Sequence, residues 1–326
     1  MPIDGSGRSV RYLRISLTDA CNLSCRYCMP DQIAFRPARE LMTNEEVLRL
    51  IQQFAAVGFE KIRFTGGEPT LRDNLLGLIQ STRELDGIRE VVLTTNGLLL
   101  KELARPLVHA GLQRVNINLN TLQPRVYRRI TRGGRFKEAW EGLLAADREG
   151  LQIKINSVIL RGYNDGKDPA ELARLTLTRP WDVRFIEAMP LGSVASFQQS
   201  SRVSESKVRR MVVQALGPLT PVRDSRSGGQ VRLYRLQGAS GRVGFISSVA
   251  HPFCDKCTRA RLTADGKMRL CLLQEDEIDL LTPLREGATD KALRELIRKG
   301  LKRKPAGHDL AHRKTPRNRV MSEIGG

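Results

Sequence analysis

No cysteine occurs in this 326-residue chain outside two groups of three, Cys21-x3-Cys25-x2-Cys28 and Cys254-x2-Cys257-x13-Cys271. No secretory signal is legible at Met1-Pro2-Ile3-Asp4. Disulfide frameworks belong to small secreted chains, so a cross-linked fold is not expected. Thiols gathered in ligand-like groups fit a reducing compartment, and a cytoplasmic protein is expected. No apolar run approaches the roughly 20 residues of a membrane helix. No Gly-x4-Gly-Lys-Ser/Thr segment is present, so any bound phosphate is not cradled by a P-loop. Aromatic residues make up only 5%, which leaves few platforms for stacking single-stranded bases. Acidic residues are also short: 35 stand against 54 Lys and Arg, a formal charge of +19, and 41 of the basic residues are arginine. That surplus suits an anionic partner. The arginines run along the whole chain rather than in one stripe, so no specific nucleic-acid partner is expected.

A hydrophobic content of 40% over this length is enough for one large α/β domain with a substantial core. Residues 11–18 alternate apolar and polar, as a half-buried strand does, and the first cysteine group follows at once. Further strand-like runs fall at 60–64, 90–94, 114–119, 152–159 and 183–187. Helical patterns lie at 43–58, 74–85, 98–110, 136–149 and 169–178, the first opened by a Thr43/Glu46 capping box. Six strands alternating with helices call for a parallel sheet with right-handed crossovers, six units being too few for a closed eight-stranded barrel. After Pro190 the pattern changes to a helix near 204–216, capped by Ser204, and a hairpin over 231–236 and 242–247. A turn at Ala264-Asp265-Gly266 and a helix at 290–300 complete it. The expected division is a core of 1–220 and an extension of 221–326. Gly5-Ser6-Gly7 has no strand before it and is expected to belong to a flexible N-terminus.

Three cysteines are one fewer than a closed four-cysteine site needs, so each group leaves a coordination position open. An open position is where chemistry can occur. For the second group, a zinc site completed by His251 is the rival, because Cys-x2-Cys is common zinc spacing. The first has no histidine near it, and its spacing is unusual for zinc.

The first group, with Tyr27 beside Cys28, resembles the cluster motif of the radical S-adenosylmethionine superfamily. Gly66-Gly67-Glu68-Pro69, after the second strand, resembles that superfamily's segment for the methionyl amine. The implied fold is a partial (β/α)6 barrel, TIM-like, with a C-terminal extension carrying a second iron-sulfur cluster. The second group, with Thr258-Arg259-Ala260-Arg261 inside it and Gly325-Gly326 at the end, resembles the GTP 3′,8-cyclase family within the superfamily.

The resemblance implies two 4Fe-4S clusters, held by Cys21, Cys25 and Cys28 and by Cys254, Cys257 and Cys271, together with S-adenosylmethionine as cofactor. It places Tyr27, Gly67, Glu68, Asn118 and Met189 at the cofactor. Arg14, Arg63, Thr94, Lys154, Arg259 and Arg261 fall at a GTP substrate, and Gly325 and Gly326 reach the reaction centre. Asn118 stands where the family commonly has serine, and Ala20 where arginine is common. The implied reaction is closure of GTP to 3′,8-cyclo-7,8-dihydroguanosine 5′-triphosphate, the first step of molybdenum cofactor biosynthesis, begun by a 5′-deoxyadenosyl radical. Implied partners are a reductant protein and the next pathway enzyme, cyclic pyranopterin monophosphate synthase; a homodimer is left open. The competing readings are a radical enzyme acting on RNA or peptide, and a metal-bearing nucleic-acid-binding protein. The first calls for an added RNA-binding module or a clustered basic stripe, and neither is found; the second leaves Gly66-Gly67-Glu68 and the open-site cysteine group without a role. His109, His308 and His312 carry no expected function.

Overall fold

The computed structural model describes residues 2–223, 230–308, 310 and 315–325; His312 and Gly326 lie outside them. In the first half, strands and helices alternate as β1 (Tyr12–Ser16), α1 (Asn44–Val57), β2 (Lys61–Thr65), α2 (Leu75–Arg83), β3 (Glu90–Thr95), α3 (Leu100–His109) and β4 (Arg114–Asn118). Then come α4 (Pro124–Thr131), α5 (Phe136–Arg148), β5 (Gln152–Val158), α6 (Asp168–Thr178) and β6 (Asp182–Ile186). The second half holds α7 (Ala195–Ser200), α8 (Glu205–Leu216), β7 (Leu219–Val222), β8 (Arg232–Leu236), β9 (Arg242–Ile246) and β10 (Arg259–Leu262). It ends with β11 (Lys267–Arg269), β12 (Glu277–Asp279), α9 (Leu281–Arg285), α10 (Asp290–Lys302) and α11 (Met321–Ile324).

All twelve described strands form one sheet in the order β12-β11-β10-β1-β2-β3-β4-β5-β6-β9-β8-β7. Strands β1 to β6 are mutually parallel, as the alternation predicts. Strand β10 joins them parallel on the β1 side and β9 parallel on the β6 side. The parallel part is therefore eight strands wide rather than six. The two extra strands arrive through antiparallel hairpins instead of crossover helices, which hid them from a count of βα units. The sheet ends in edges and does not close, so the architecture is an open partial barrel of six βα units flanked by the extension.

The strands bury one apolar face. Leu13 and Ile15, Ile62 and Phe64, Leu93, Val115 and Ile117, and Val183 and Phe185 join the helices in one hydrophobic cluster. The intervening positions are mostly polar or charged, Val92 being an apolar exception. Parallel sheets covered on both faces usually read as continuous apolar runs, so this polar inner face marks a chamber rather than a packed barrel core. The Thr43/Glu46 capping box forms as expected, with Oγ1 accepting from Glu46 N at 3.2 Å and Oε2 from Thr43 N at 2.8 Å. Ser204 likewise caps α8, accepting from Lys207 N.

The N-terminal expectation is corrected. Asp4 accepts from the backbone of Ser6 and Arg8, and Arg8 donates to the carbonyls of Cys254, Pro305 and Ala306. A Cβ on Gly5 would meet the Lys302 carbonyl at 2.4 Å. The segment is tied to the second cysteine group, and Gly5 is small because α10 ends against it.

Candidate active site

Loops at the end of β1 and β2 shape the first cysteine group. Gly66, at φ +147°, and Gly67 lie so close to the β1 loop that a Cβ would meet Thr18 O at 2.5 Å and Ala20 O at 2.1 Å. Glycine is required at both so that one loop can press on the other. Glu68 is buried, and its carboxylate accepts from the hydroxyls of Thr70 and Thr95 and the amides of Thr70 and Asn96. Through these bonds Glu68 also pins the β3 loop to the β2 loop. Burial pushes its carboxyl upward, against those four hydrogen bonds. Asn96 Nδ2 in turn approaches Cys21 Sγ at 3.9 Å.

Cys25 and Cys28 pack against Tyr27, Ile130, Val158, Leu160 and Ala188, the last next to Met189. Ser24 N and Arg26 N donate to the carbonyls of Thr131 and Ile130, so α4 holds the cysteine loop in place. Helix α4 was not foreseen, because its Pro124-Arg-Val-Tyr-Arg-Arg run is short and strongly basic. Asn118 and Asn120 both donate to the Tyr27 hydroxyl, at 2.9 and 3.4 Å. Asn118 therefore meets Tyr27, another residue expected at the cofactor. Burial raises the thiols of Cys21 to about 11 and Cys25 to about 12.

The chamber is built in staggered rows across the strands. Arg259, Tyr12, Lys61 and Glu90 lie side by side nearest the strand beginnings. Next come Arg261, Arg14, Arg63, Val92 and Arg114. Farther round, Thr94, Asn116, Lys154, Asp182 and Arg242 are in register, followed by Asn118, Asn156 and Arg184. Sequence reasoning named Arg14, Arg63, Thr94, Lys154, Arg259 and Arg261, and all of them come together here. It missed Tyr12, Lys61, Arg114 and Arg184, although each falls on the inward-facing alternation of its strand.

Two acids serve this crowd of cations, and both are engaged. Glu90 pairs with Lys61 and Arg114, each at 2.5 Å, and Asp182 with Arg242 at 2.7 Å and Arg184 at 3.1 Å. Asn116, with its amide oxygen toward Arg63, accepts from Nη1 and Nη2 at 2.7 and 2.9 Å. Buried polar atoms still lack partners, among them Nε of Arg14, Arg63, Arg184 and Arg259, Thr94 Oγ1 and Asn156 Oδ1. Burial, then Arg184 and Arg114, lower the Lys154 ammonium to about 6 despite Asp182 at 3.6 Å. Burial and the neighbours Arg14 and Arg259 pull Arg261 well below its ordinary value. Buried cations without counterions are costly, so the chamber is built to receive an anion.

The second cysteine group lies at the other end. Cys254 and Cys257 precede β10, whose Arg259 is level with Tyr12 at the beginning of β1, while Cys271 follows β11, which runs back along β10. The first group follows the end of β1. At about 3.3 Å per residue, five-residue strands separate the two groups by roughly 15 Å or more, with the cationic chamber between them. Arg8 holds Cys254 O, and the buried Lys304 donates to Leu270 O. Burial would raise the Cys257 thiol, but Lys304, Arg259 and Arg8 reverse this and lower it.

All six cysteines are free thiols. Among the described residues no three His, Cys, Asp or Glu side chains converge as ligands of a single ion must, and His251 is exposed.

The C-terminal tail crosses back to the first end. A Cβ on Gly325, at φ +78°, would meet Thr65 Cγ2 at 2.5 Å and Ser16 Cβ at 3.5 Å, and Arg261 donates to the Gly325 carbonyl. The tail is fastened by Arg319, which donates to both Asp265 oxygens at 3.0 and 2.8 Å and to both Glu277 oxygens at 2.7 and 2.8 Å. Changing Arg319 to alanine is expected to cost about 3 kcal/mol, the lower end for a broken buried ion pair. Burial would raise the Asp265 carboxyl, but Arg319 outweighs it and holds the group low. A depressed carboxylate stabilises the fold above its unfolded-state value and loses that contribution as pH falls through its folded-state value. Thermal melts should show the wild-type advantage over Arg319→Ala near neutral pH and its shrinkage below about pH 4.

Two family models match the chain: the radical SAM superfamily over residues 15–175, and Molybdenum Cofactor Synthesis C over residues 181–310. A GTP 3′,8-cyclase of Pelotomaculum thermopropionicum is 44% identical over 321 residues, 98% of each chain. One of Heliobacterium modesticaldum is 43% identical over 327 residues, 99% of this chain and 100% of its own. Among solved structures, Streptococcus suis SuiB bound to S-adenosylmethionine matches with a TM-score of 0.57 at 15% identity, over 89% of this chain and 66% of that one. Methylornithine synthase (PylB) matches with a TM-score of 0.50 at 20% identity, over 63% of each. These two share the fold. The near full-length identities carry more, and the chain belongs to the GTP 3′,8-cyclase family.

Proposed function

We propose that this chain converts GTP to 3′,8-cyclo-7,8-dihydroguanosine 5′-triphosphate, using two 4Fe-4S clusters and S-adenosylmethionine. The observation that carries the reading is the chamber of partly uncompensated cations between two separate cysteine groups. Cys21, Cys25 and Cys28 would hold one cluster and Cys254, Cys257 and Cys271 the other, each with one iron open. When bound, the first cluster and S-adenosylmethionine supply one-electron cleavage and hydrogen abstraction.

The chain's own residues do the positioning. Tyr27, Gly67, Glu68, Asn118 and Met189 line the cofactor side, and Glu68 also fixes the loops around it. Arg14, Arg63, Thr94, Lys154, Arg259 and Arg261, with Lys61, Arg114 and Arg184, receive the nucleotide and its phosphates. Guanidinium forks match phosphate oxygens where a P-loop is lacking. Both reacting carbons belong to one held nucleotide, so ring closure is intramolecular and orientation supplies much of its rate. Residues 1–220 act as the barrel core and 221–326 as the extension that brings the second cluster and closes the chamber. A reductant protein, cyclic pyranopterin monophosphate synthase downstream and a cytoplasmic setting complete the reading. No described helix is long and apolar enough to cross a membrane.

Anaerobic turnover of GTP with S-adenosylmethionine and a reductant tests it; absence of the cyclised triphosphate from protein carrying both clusters would overturn it. Arg261→Ala should weaken GTP binding about ten- to a hundredfold, because a charge-assisted hydrogen bond is worth roughly 1.5–3 kcal/mol. Calorimetry should find S-adenosylmethionine binding little changed.

A further inference from the structure

Tyr12 is out of place as a core residue. It begins β1 on the inward face, level with Lys61 and Arg259, and is only 8% exposed. Its hydroxyl has no hydrogen-bond partner. Lys61 Nζ lies 4.9 Å from its ring centroid, and the guanidinium carbons of Arg63 and Arg14 lie 5.3 and 5.7 Å away. Every element packed about it presents positive charge: Arg14 on its own strand, Lys61 and Arg63 on β2, Arg114 on β4, and Arg259 and Arg261 on β10. The nearby acids, Glu90 and Asp182, are already paired with Lys61, Arg114, Arg184 and Arg242. A buried hydroxyl with no partner, ringed by surplus cations, is a place for a negative charge when nothing else supplies one.

We propose that the Tyr12 hydroxyl is the proton acceptor of this chamber: without nucleotide it stands as a phenolate among the cations, and as a nucleotide's polyphosphate enters it takes up one proton and becomes a hydrogen-bond donor. The proposal rests on the reading of the chamber as the GTP polyphosphate site. The proton comes from solvent to the phenolate oxygen, and no bond between heavy atoms changes. Burial alone would raise the phenol, but Arg63, then Arg14, Lys61 and Arg114, reverse this and bring it to about 7. An arriving polyanion neutralises those cations and removes the cause, so the proton returns. Binding becomes coupled to proton uptake, and nucleotide affinity falls as pH rises above neutrality.

The test is calorimetry of GTP binding to anaerobically reconstituted enzyme in buffers of different ionisation enthalpy, which counts protons taken up. Lys154, lowered to about 6, contributes its own uptake, so the quantity read is the difference between wild type and Tyr12→Phe. From a phenol near 7, that difference should be about nine-tenths of a proton at pH 8 and about one-tenth at pH 6. Equal uptake by the two proteins at pH 8, with GTP bound by both, overturns the role of Tyr12 and leaves the site standing. Failure of the wild type to bind GTP overturns the site and the proposal together. Should the phenylalanine variant misfold, 3-fluorotyrosine at position 12, with its more acidic phenol, must move the onset of uptake to lower pH; an unmoved onset overturns the proposal.

Discussion

Cys257→Ser, reconstituted anaerobically, should still cleave S-adenosylmethionine reductively while forming no cyclised GTP; Cys25→Ser should lose both. The two cysteine groups sit at opposite ends of the strands, so the loss of one need not become the loss of the other. Cys25 lies in the apolar nest of Tyr27, Ile130 and Leu160 beneath α4. Cys257 lies two residues before Arg259; Arg8 anchors its loop at Cys254 O, and Lys304 holds Leu270 O beside Cys271. Serine at Cys257 should therefore halve the iron from about eight to about four per chain, the first cluster remaining. The loss in cyclisation should exceed about a thousandfold, since the substrate loses its anchoring point while the radical source survives. Iron analysis, 5′-deoxyadenosine yield and product chromatography read the three quantities. Full cyclisation by the Cys257 variant would reassign the second group to a structural role.

The sequence made the βα core legible because each unit carries its own local signals. Thr43 and Glu46 open a helix and Gly58, at φ +110°, closes it, whatever the rest of the chain does. The placement of β9 and β10 was not legible. Each is a short strand whose parallel partner, β6 or β1, lies far away in sequence, and pairing of that kind leaves no mark on local periodicity. That gap had a consequence for the site. The strands' downstream ends announced the first cysteine group, but only the register Arg259 to Tyr12 places the second group at the opposite mouth. Ligand residues were read from spacing and resemblance, so Arg14, Arg63 and Lys154 were found. Tyr12, Lys61, Arg114 and Arg184 were passed over because a lone Tyr, Lys or Arg on a strand is ordinarily a surface residue. What makes them exceptional is that the inner face of this sheet is mostly polar or charged, a property of eight strands together. Gly5 shows the reverse error, since a Gly-Ser-Gly run is locally a flexible segment and only α10 makes it a tight contact.

Gly325→Ala should suppress product formation about a hundredfold while leaving both clusters and S-adenosylmethionine cleavage in place. The added methyl would lie 2.5 Å from Thr65 Cγ2, and the backbone at φ +78° disfavours any side chain. That strain costs of order 1–3 kcal/mol, and the tail can relieve it only by withdrawing from Thr65 and Ser16. Withdrawal pulls the Gly325 carbonyl from Arg261, so a guanidinium aimed into the chamber loses its positioning. A displacement of about 1 Å at such a group is enough for a hundredfold loss in a reaction governed by orientation. Because Arg319 still clamps the tail to Asp265 and Glu277, the variant should melt within a few degrees of wild type, which separates a local effect from unfolding. Removing Gly325 and Gly326 together should reproduce the loss without the strain, since Arg261 is then left with no tail carbonyl. Single-turnover measurements with GTP and S-adenosylmethionine, set beside the 5′-deoxyadenosine yield, distinguish uncoupled cleavage from failed binding. Wild-type turnover in both variants would show that the tail only packs against the barrel mouth and takes no part in orienting the substrate.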